Sequence, residues 1–241
     1  MQPPARFPEQ NQILASMAES VQDRLFPRLE PVSLGLADVL YESGDPMSSV
    51  YFPTDSIVSL MYVMENGASA EISVVGNEGV VGIAVFMGGA STTSRAVVQS
   101  AGSAYRLAGH YLNAEFNRNG DLHHLLLLYT QALLTQMAQT AVCNRHHTID
   151  QQLARWLLLS LDRLNDDQVS MTQELIANML GVRREGVTHA ATKLQDEGVI
   201  QYNRGRIRVL DRLRLEELTC ECYSVVKRET DRLLPWPRQP L

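Results

Sequence analysis

The stretch that decides the fold is MTQELIANMLGVRREGVTHAATKLQDEGVI, residues 171–200. Ser170 or Thr172 can cap a helix over 173–180, because a side-chain hydroxyl there accepts a hydrogen bond from a free amide of the first turn. Gly181 ends that helix, since glycine readily takes the left-handed conformation found just beyond helix C-termini. The first part of the stretch therefore predicts a short, capped helix followed by a sharp turn.

A second helix is predicted over 183–197 and has two chemically different faces. The residues expected to be buried are small or aliphatic and recur at helical spacing: Val187, Ala190, Ala191 and Leu194. The opposite face presents groups that bond base edges and phosphates: Arg184, Glu185, Thr188, His189 and Thr192. Such a helix fits a DNA major groove, where arginine can bond guanine and glutamate can accept a hydrogen bond from cytosine.

Two strands are predicted after this helix, over 199–202 and 206–210, around the turn Asn203-Arg204-Gly205. They form a wing with arginines at its tip. Helix-turn-helix shapes also occur in proteins that bind no DNA, and a basic strand can be an ordinary solvated face, so the pattern alone leaves both interpretations open.

The run 171–200 resembles the helix-turn-helix of the Crp/Fnr family of transcription regulators, including the Arg184-Glu185 pair that opens its recognition helix. Upstream, VLYESGDPMSSVYF at 39–52 is similar to the first turns of that family's cyclic-nucleotide-binding-type β-roll. The resemblance covers about residues 29–210. It implies a cytoplasmic transcription regulator that binds double-stranded DNA as a homodimer on a palindromic operator, with RNA polymerase as a candidate partner.

The match also implies roles for single residues. Arg184 and Glu185 would read bases, His189 would contact a base one turn further along, and Thr172 would touch phosphate. Four more residues are candidates for contacts with the DNA backbone by charge and placement: Arg183, Thr188, Arg204 and Arg206. Gly186 departs from the pattern, because glycine inside a helix costs about 1 kcal/mol relative to alanine. His189 replaces a longer side chain, so the operator sequence stays open.

The charge distribution favours a nucleic-acid partner although the net charge is −6. Residues 1–120 hold six basic and twelve acidic residues, and thus carry the whole excess of negative charge. Residues 181–214 reverse the sign, with four acidic residues against eight basic ones: Arg183, Arg184, Lys193, Arg204, Arg206, Arg208, Arg212 and Arg214. A basic face on an acidic body is expected.

The rest of the chain predicts an α+β fold. Short β-branched runs broken by turns over 30–107 indicate an N-terminal, jelly-roll-like β-roll with flanking helices. Apolar residues at every third or fourth position then predict a long helix, whose wide apolar face favours dimerisation over burial within a monomer. The predicted domains are a sensor over 1–120, the dimerisation helix over 121–147, a winged helix-turn-helix over 148–215, and a C-terminal helix and tail over 216–241.

Cyclic AMP is not expected to bind the sensor tightly. Members of the family that bind cyclic nucleotides hold the ribose with a Gly-Glu pair and the phosphate with an Arg-Ser pair, and this chain has Gly82-Ile83 and Ser94-Arg95 there. Isoleucine cannot accept a hydrogen bond from the ribose hydroxyl. Arg95 is shifted by one residue from the position of the family's arginine, and on a strand such a shift turns the side chain to the other face. Gly82, Ser94 and Arg95 remain the candidates for contacting a small-molecule effector, whose identity and existence stay open.

No metal ion or cofactor is expected. Cys143 is far from Cys220 and Cys222 in the sequence, and the latter two, at i and i+2 of a helix predicted over 213–234, do not share a face. The adjacent pairs His146-His147 and His123-His124 diverge for the same reason. The cysteines are therefore interpreted as structural thiols in a reducing compartment.

Enzymatic function is not expected, because no nucleophile, carboxylate pair, P-loop or dinucleotide motif occurs at a workable spacing. No apolar run approaches the roughly 18 residues of a membrane span, and the N-terminus lacks the apolar stretch of a secretory signal. The remaining alternative is a dimeric module that senses a small molecule and acts on a protein partner. The row Arg184, Glu185 and His189 argues against it.

Overall fold

The computed structural model describes residues 7–164 and 166–234. The extreme N-terminus, Asn165 and the tail over 235–241 lie outside the described residues. The described chain begins with a 3-10 turn, Pro8–Gln10, followed by helices α1 (Gln12–Ala15) and α2 (Glu19–Leu25) and a second 3-10 turn, Phe26–Arg28.

The N-terminal unit is a β-roll of two antiparallel sheets, as predicted. In chain order its elements are β1 (Glu30–Leu34), β2 (Val39–Tyr41), β3 (Ser49–Pro53), β4 (Ile57–Val63), β5 (Ser69–Val75), α3 (Ala84–Met87), β6 (Arg95–Ser100), β7 (Gly102–Ala108) and α4 (Gly109–Phe116). One sheet has the order β1-β7-β3 and the other β2-β6-β4-β5. Alternation along β3 buries Val50 and Phe52 between the sheets and leaves Tyr51 partly exposed.

The long helix α5 (Asp121–His146) packs one face on the β-roll. Leu122, Leu126, Tyr129 and Leu133 recur along this buried face. The side chain of Gln136 also satisfies the edge of β5, because its Oε1 accepts a hydrogen bond from the Val74 amide (2.6 Å). The other side of α5 leaves Leu127, Leu134 and Val142 exposed.

The C-terminal unit is a winged helix-turn-helix, also as predicted. It comprises α6 (Ile149–Leu161), β8 (Gln168–Ser170), α7 (Gln173–Leu180), α8 (Arg184–Asp196), β9 (Ile200–Asn203) and β10 (Arg206–Val209). The three strands form a sheet in the order β8-β10-β9. His147 is extended and ends α5. A capping box at the next residue, Thr148, begins α6.

This unit is seated against the second sheet of the β-roll. Ile57, Met61 and Val74 of β4 and β5 share one apolar core with Trp156 and Met179 of the C-terminal unit. Polar groups cross the same contact: the Gln99 amide donates to Ser160 Oγ (3.0 Å), and Arg163 forms a buried ion pair with Glu78 (2.7 Å).

The C-terminal end corrects the prediction of one helix over 213–234. Two helices are present, α9 (Arg212–Leu218) and α10 (Glu221–Leu233), because the backbone is extended at Thr219 and Cys220. α10 packs along α5. The prediction that the cysteines lie apart is therefore wrong: Cys143 Sγ is 3.5 Å from Cys220 Sγ, and Cys222 is buried beside them. Helical i, i+2 geometry does not apply when one of the two residues stands outside the helix.

Candidate nucleic-acid interface

The two helices of the motif are fixed by local hydrogen bonds. Thr172 caps α7, because its hydroxyl accepts from the Leu175 amide (3.3 Å). Gly181 ends α7 in the left-handed conformation, with φ +66°. Thr188 of α8 lies 2.7 Å from Gln173 Oε1, which ties the two helices together across their exposed side. The hydroxyl of Thr188 is thus engaged within the motif, at the surface where a backbone contact was predicted.

The two faces of α8 are those that its sequence predicts. Val187, Ala190, Ala191 and Leu194 are buried, whereas the opposite face is exposed and consists of Arg184, Glu185, Thr188, His189 and Thr192. Gly186 faces α6: a Cβ built there would lie 2.6 Å from Cδ1 of Ile149, and all other atoms of that side chain would be at least 3.9 Å away. An alanine at this position would therefore require only the end of the Ile149 side chain to turn, and the structure gives no further reason for the glycine.

The wing stands beside the beginning of α8. Arg204 and Gly205 take left-handed conformations (φ +48° and +79°) and turn β9 sharply into β10. Between the wing and the starts of α7 and α8 is a groove of about 530 Å³, lined by Thr172, Gln173, Glu174, Arg184, Tyr202, Arg204 and Gly205. It brings together three of the predicted contact residues: Thr172, Arg184 and Arg204. Sequence reasoning missed Gln173 and Tyr202, although Gln173 in the first turn of a capped helix was a usable signal.

Ion pairs divide the eight basic residues of 181–214 into two groups of four. Four are neutralised by carboxylates, through the pairs Lys193–Asp150, Arg208–Asp167, Arg212–Asp162 and Arg214–Glu217. The other four have no ion-pair partner among residues 7–164 and 166–234, and all are exposed: Arg183, Arg184, Arg204 and Arg206. These four are the arginines predicted to contact DNA. Arg183 and Arg184 lie at the beginning of α8, and Arg204 and Arg206 lie on the wing.

The start of α8 adds a further positive field. The free amides and the helix dipole at the N-terminus of a helix attract anions, and Arg183 and Arg184 stand there. On the exposed face of β10 that Arg206 also occupies, the Asp167 carboxylate raises the pKa of Arg208, whose charge is thereby satisfied within the protein. The positive charge of residues 181–214 that no carboxylate in the described part of the chain neutralises thus lies at the start of α8 and on the wing.

The candidate effector residues fall on different parts of the β-roll. Gly82 lies at the turn before α3 and packs against Val50 of β3, with φ +104°. Ser94 and Arg95 lie at the start of β6, in the opposite sheet. Ser94 is buried, whereas Arg95 is part-exposed and lies 3.0 Å from the Glu42 carboxylate.

Comparison with known protein families identifies both units. Residues 31–119 match the model of the cyclic nucleotide-binding domain, and residues 151–218 match the Crp-like helix-turn-helix domain. No curated protein matches the chain at a significant level. Among the helices of the described residues, none is long and apolar enough to cross a membrane.

Solved structures of similar fold cover most of the chain. FixK2 from Bradyrhizobium japonicum has a TM-score of 0.69 at 19% identity, over 80% of this chain and 98% of its own. TTHB099, a CRP-family transcriptional regulator from Thermus thermophilus, has 0.64 at 18%, over 77% and 95%. The c-di-GMP responsive global regulator CLP from Xanthomonas campestris has 0.61 at 14%, over 80% and 99%. At these identities the similarity establishes a shared fold.

Proposed function

Since the chain belongs to the Crp/Fnr family of DNA-binding transcription regulators, we propose that it acts as a homodimer on a palindromic operator in the cytoplasm. Each protomer places α8 in a major groove, and the two grooves are about 34 Å apart along the duplex. Arg184 and Glu185 contact bases at the start of α8, and His189 contacts a base one turn later.

The observation that carries this proposal is that four exposed arginines have no carboxylate partner in the described part of the chain. An arginine held in an ion pair must lose that partner before it binds phosphate, whereas an exposed, unpaired one exchanges only water and counterions. Arg183, Arg204 and Arg206 are thus assigned to the DNA backbone. Thr172 joins them, because its hydroxyl accepts from the Leu175 amide and keeps its own proton for phosphate, whereas Thr188 would exchange its bond to Gln173 for one to phosphate. The groove between α8 and the wing fits the sugar-phosphate chain beside the major groove.

A salt series on a selected operator tests the assignment. Sequences bound by the full chain are selected from a random duplex library, and a palindromic consensus is expected, which Arg184→Ala loses. Arg204→Gln removes two phosphate contacts per dimer. The slope of log K against log salt, which is negative, should therefore become shallower by about 1.8. Arg208→Gln, at an arginine already paired with Asp167, is the matched control and should leave the slope unchanged.

Two results contradict the proposal. Equal salt slopes for Arg204→Gln and Arg208→Gln would show that pairing does not select the contact residues. If no sequence is enriched, the effector-free chain does not read DNA sequence, and the alternative of a protein partner takes precedence.

The exposed side of α5 supports the dimer. Leu127, Leu134 and Val142 are each close to half exposed or more, and they follow one another at seven- or eight-residue intervals along one stripe. A large apolar stripe on a long surface helix is costly in water, and a second copy of α5 packed against it would remove that cost. Leu134→Asp should shift the protein to a monomer in sedimentation analysis and abolish operator binding. A variant that remains a dimer would contradict this interface.

We also propose that the β-roll does not bind cyclic AMP tightly. Ile83 offers no acceptor for a ribose hydroxyl, and the guanidinium of Arg95 is already neutralised by Glu42, which would compete with a cyclic phosphate. Calorimetric titration of the full chain with cyclic AMP should show no binding in the micromolar range. Micromolar or tighter affinity would overturn this part of the proposal.

An effector signal would reach the DNA through the junction of α5 and α6. His147 and Thr148 are extended between the two helices, so changes of their dihedral angles would reorient the DNA-binding unit. Hydrogen exchange compared between the effector-free and effector-bound chain should change at this junction. RNA polymerase is the partner through which a DNA-bound dimer would then regulate transcription.

A further inference from the structure

A four-residue cluster lies where α5 meets the C-terminal helices, away from the DNA-binding face. It consists of Cys143, His147, Cys220 and Cys222, whose Sγ and imidazole nitrogen atoms all lie within 4.8 Å of one another. All three cysteines are buried and none forms a disulfide. Together they offer four potential metal ligands, drawn from two segments that are distant in the sequence.

The backbone presents these groups from four different positions. Cys143 is in the last turn of α5, and His147 is the residue that ends this helix in an extended conformation. Cys220 precedes α10 in extended conformation, and Cys222 lies in its first turn. Because the chain bends at both places, side chains that a continuous helix would spread around its circumference converge on one point.

The distances fit a single tetrahedral ion. With Zn–S bonds of about 2.3 Å, neighbouring sulfurs of a tetrahedral site are separated by about 3.8 Å. Cys143 Sγ is 3.5 Å from Cys220 Sγ, and Cys222 Sγ is 3.6 Å from His147 Nδ1. Iron–sulfur clusters spread their four protein ligands more widely, since these ligands are divided among two or four iron atoms. The compact set of three sulfurs and one nitrogen therefore favours one ion.

Charged groups around the cluster complete the site. The other imidazole nitrogen of His147, Nε2, lies 3.3 Å from the Glu221 carboxylate, as in the carboxylate–histidine pairs that orient metal-binding imidazoles. Zn²⁺ bound to three thiolates carries one net negative charge, and the buried guanidinium of Arg155 acts electrostatically on both Cys143 and Cys222. Its Nη2 donates to Thr140 Oγ1 (2.8 Å), while its buried Nε has no partner in the described part of the chain.

We propose that Cys143, His147, Cys220 and Cys222 form a structural Zn²⁺ site that fastens α10 to the end of α5. Three cysteines and a histidine are a ligand set found in closed, structural zinc sites. The ion would hold the His147 side chain at the end of α5, so the proposed reorientation of the DNA-binding unit would turn at Thr148, the cap residue between His147 and α6. This site is independent of the effector and of the operator.

Metal content of the full chain tests the proposal directly. The protein is expressed with zinc, purified without a histidine tag or chelator, and analysed by plasma mass spectrometry. One zinc ion per chain is expected in the wild-type protein. The Cys222→Ser variant should contain less than one zinc ion per chain. His147→Ala should lose zinc, whereas the matched control His146→Ala, at the exposed neighbouring histidine, should keep it. Glu221→Gln should weaken zinc binding about 10- to 100-fold in a competition titration with a chromophoric chelator.

A spectroscopic measurement on the wild-type chain covers the case in which a cysteine variant fails to fold. Replacement of zinc by Co²⁺ should give thiolate-to-cobalt charge-transfer bands and the intense ligand-field bands of a tetrahedral ion. The proposal is overturned if the reduced protein binds neither metal, if His146→Ala and His147→Ala lose zinc equally, or if the purified chain carries a Cys143–Cys220 disulfide and no metal.

Discussion

The wild-type chain should lose stability as the pH rises from 4.5 to about 7, because Glu71 becomes ionised. Replacing Glu71 by glutamine should abolish this loss. Glu71 is buried in β5, at the contact between the β-roll and the DNA-binding unit. Its Oε2 lies 2.5 Å from the Ser59 hydroxyl, which in turn lies 2.9 Å from Gln99 Oε1. One hydroxyl cannot donate its single proton to both acceptors. A neutral Glu71 resolves the conflict by donating to Ser59, which then donates to Gln99.

The magnitude follows from linkage. Burial raises the pKa of Glu71 from 4.5 to about 7, so the folded chain binds a proton more tightly than the unfolded chain does. The stabilisation is therefore fully present below pH 4.5 and is lost as the pH rises through the folded-state pKa. A difference of one pKa unit between the folded and unfolded chain corresponds to 1.36 kcal/mol. The free energy of unfolding should therefore fall by about 3 kcal/mol in total.

Urea denaturation of wild type and Glu71→Gln at a series of pH values between 5 and 8 measures this effect. Because glutamine mimics the neutral acid, the variant should gain on wild type as the pH rises, by up to about 3 kcal/mol. Glu65→Gln, at an exposed loop carboxylate, is the control and should follow wild type at every pH. A difference between Glu71→Gln and wild type that does not change with pH would refute the reasoning.

Local packing is tested by Gly79→Ala with Gly89→Ala as its control, and helix capping by Thr148→Ala. Gly79→Ala should destabilise the chain by about 1–3 kcal/mol in urea denaturation, because the new Cβ would lie 2.6 Å from a ring carbon of the buried Tyr129. Gly89→Ala, where the nearest atom is at 3.4 Å, should change stability by less than about 0.5 kcal/mol, and equal effects would contradict the packing argument. Thr148→Ala removes the capping box of α6 and should cost about 1 kcal/mol; no loss in the same assay would show that the cap is dispensable.

The helix-turn-helix could be predicted because its signals are local. Thr172 and Gly181 cap α7 as the sequence indicates, and the small residues of α8 are buried at the predicted spacing. These features depend on hydrogen bonds within a few residues and on a periodicity of one helix. The family resemblance supplied the β-roll topology, which short strands alone leave undetermined.

The cysteine cluster and the burial of Glu71 could not be predicted in this way, because both depend on contacts between distant segments. Nothing in the composition around Cys220 interrupts a helix, since neither glycine nor proline occurs there. The break is seen only when α10 is packed along α5. Glu71 stands in a strand pattern where an acidic residue is expected to face solvent, and it is buried because the DNA-binding unit covers that face.

The polar contacts across this face limit how the proposed reorientation can be driven. Exposure of the Glu78–Arg163 ion pair is close to neutral, because regained hydration offsets the lost attraction. Exposure of Glu71 is not neutral at pH 7, since its return to an ordinary pKa favours release by about 3 kcal/mol.

Glu71→Gln should therefore hold the DNA-binding unit on the β-roll. If the released arrangement is the one that binds DNA, operator affinity at pH 7 should fall by up to about 100-fold in the variant, with much less change at pH 5, where Glu71 is neutral in wild type as well. Fluorescence anisotropy with a labelled operator measures both affinities. Glu71→Gln could instead show the expected stability difference but the same operator affinity as wild type at pH 7. That result would mean that the arrangement in which the DNA-binding unit packs on the β-roll itself binds DNA.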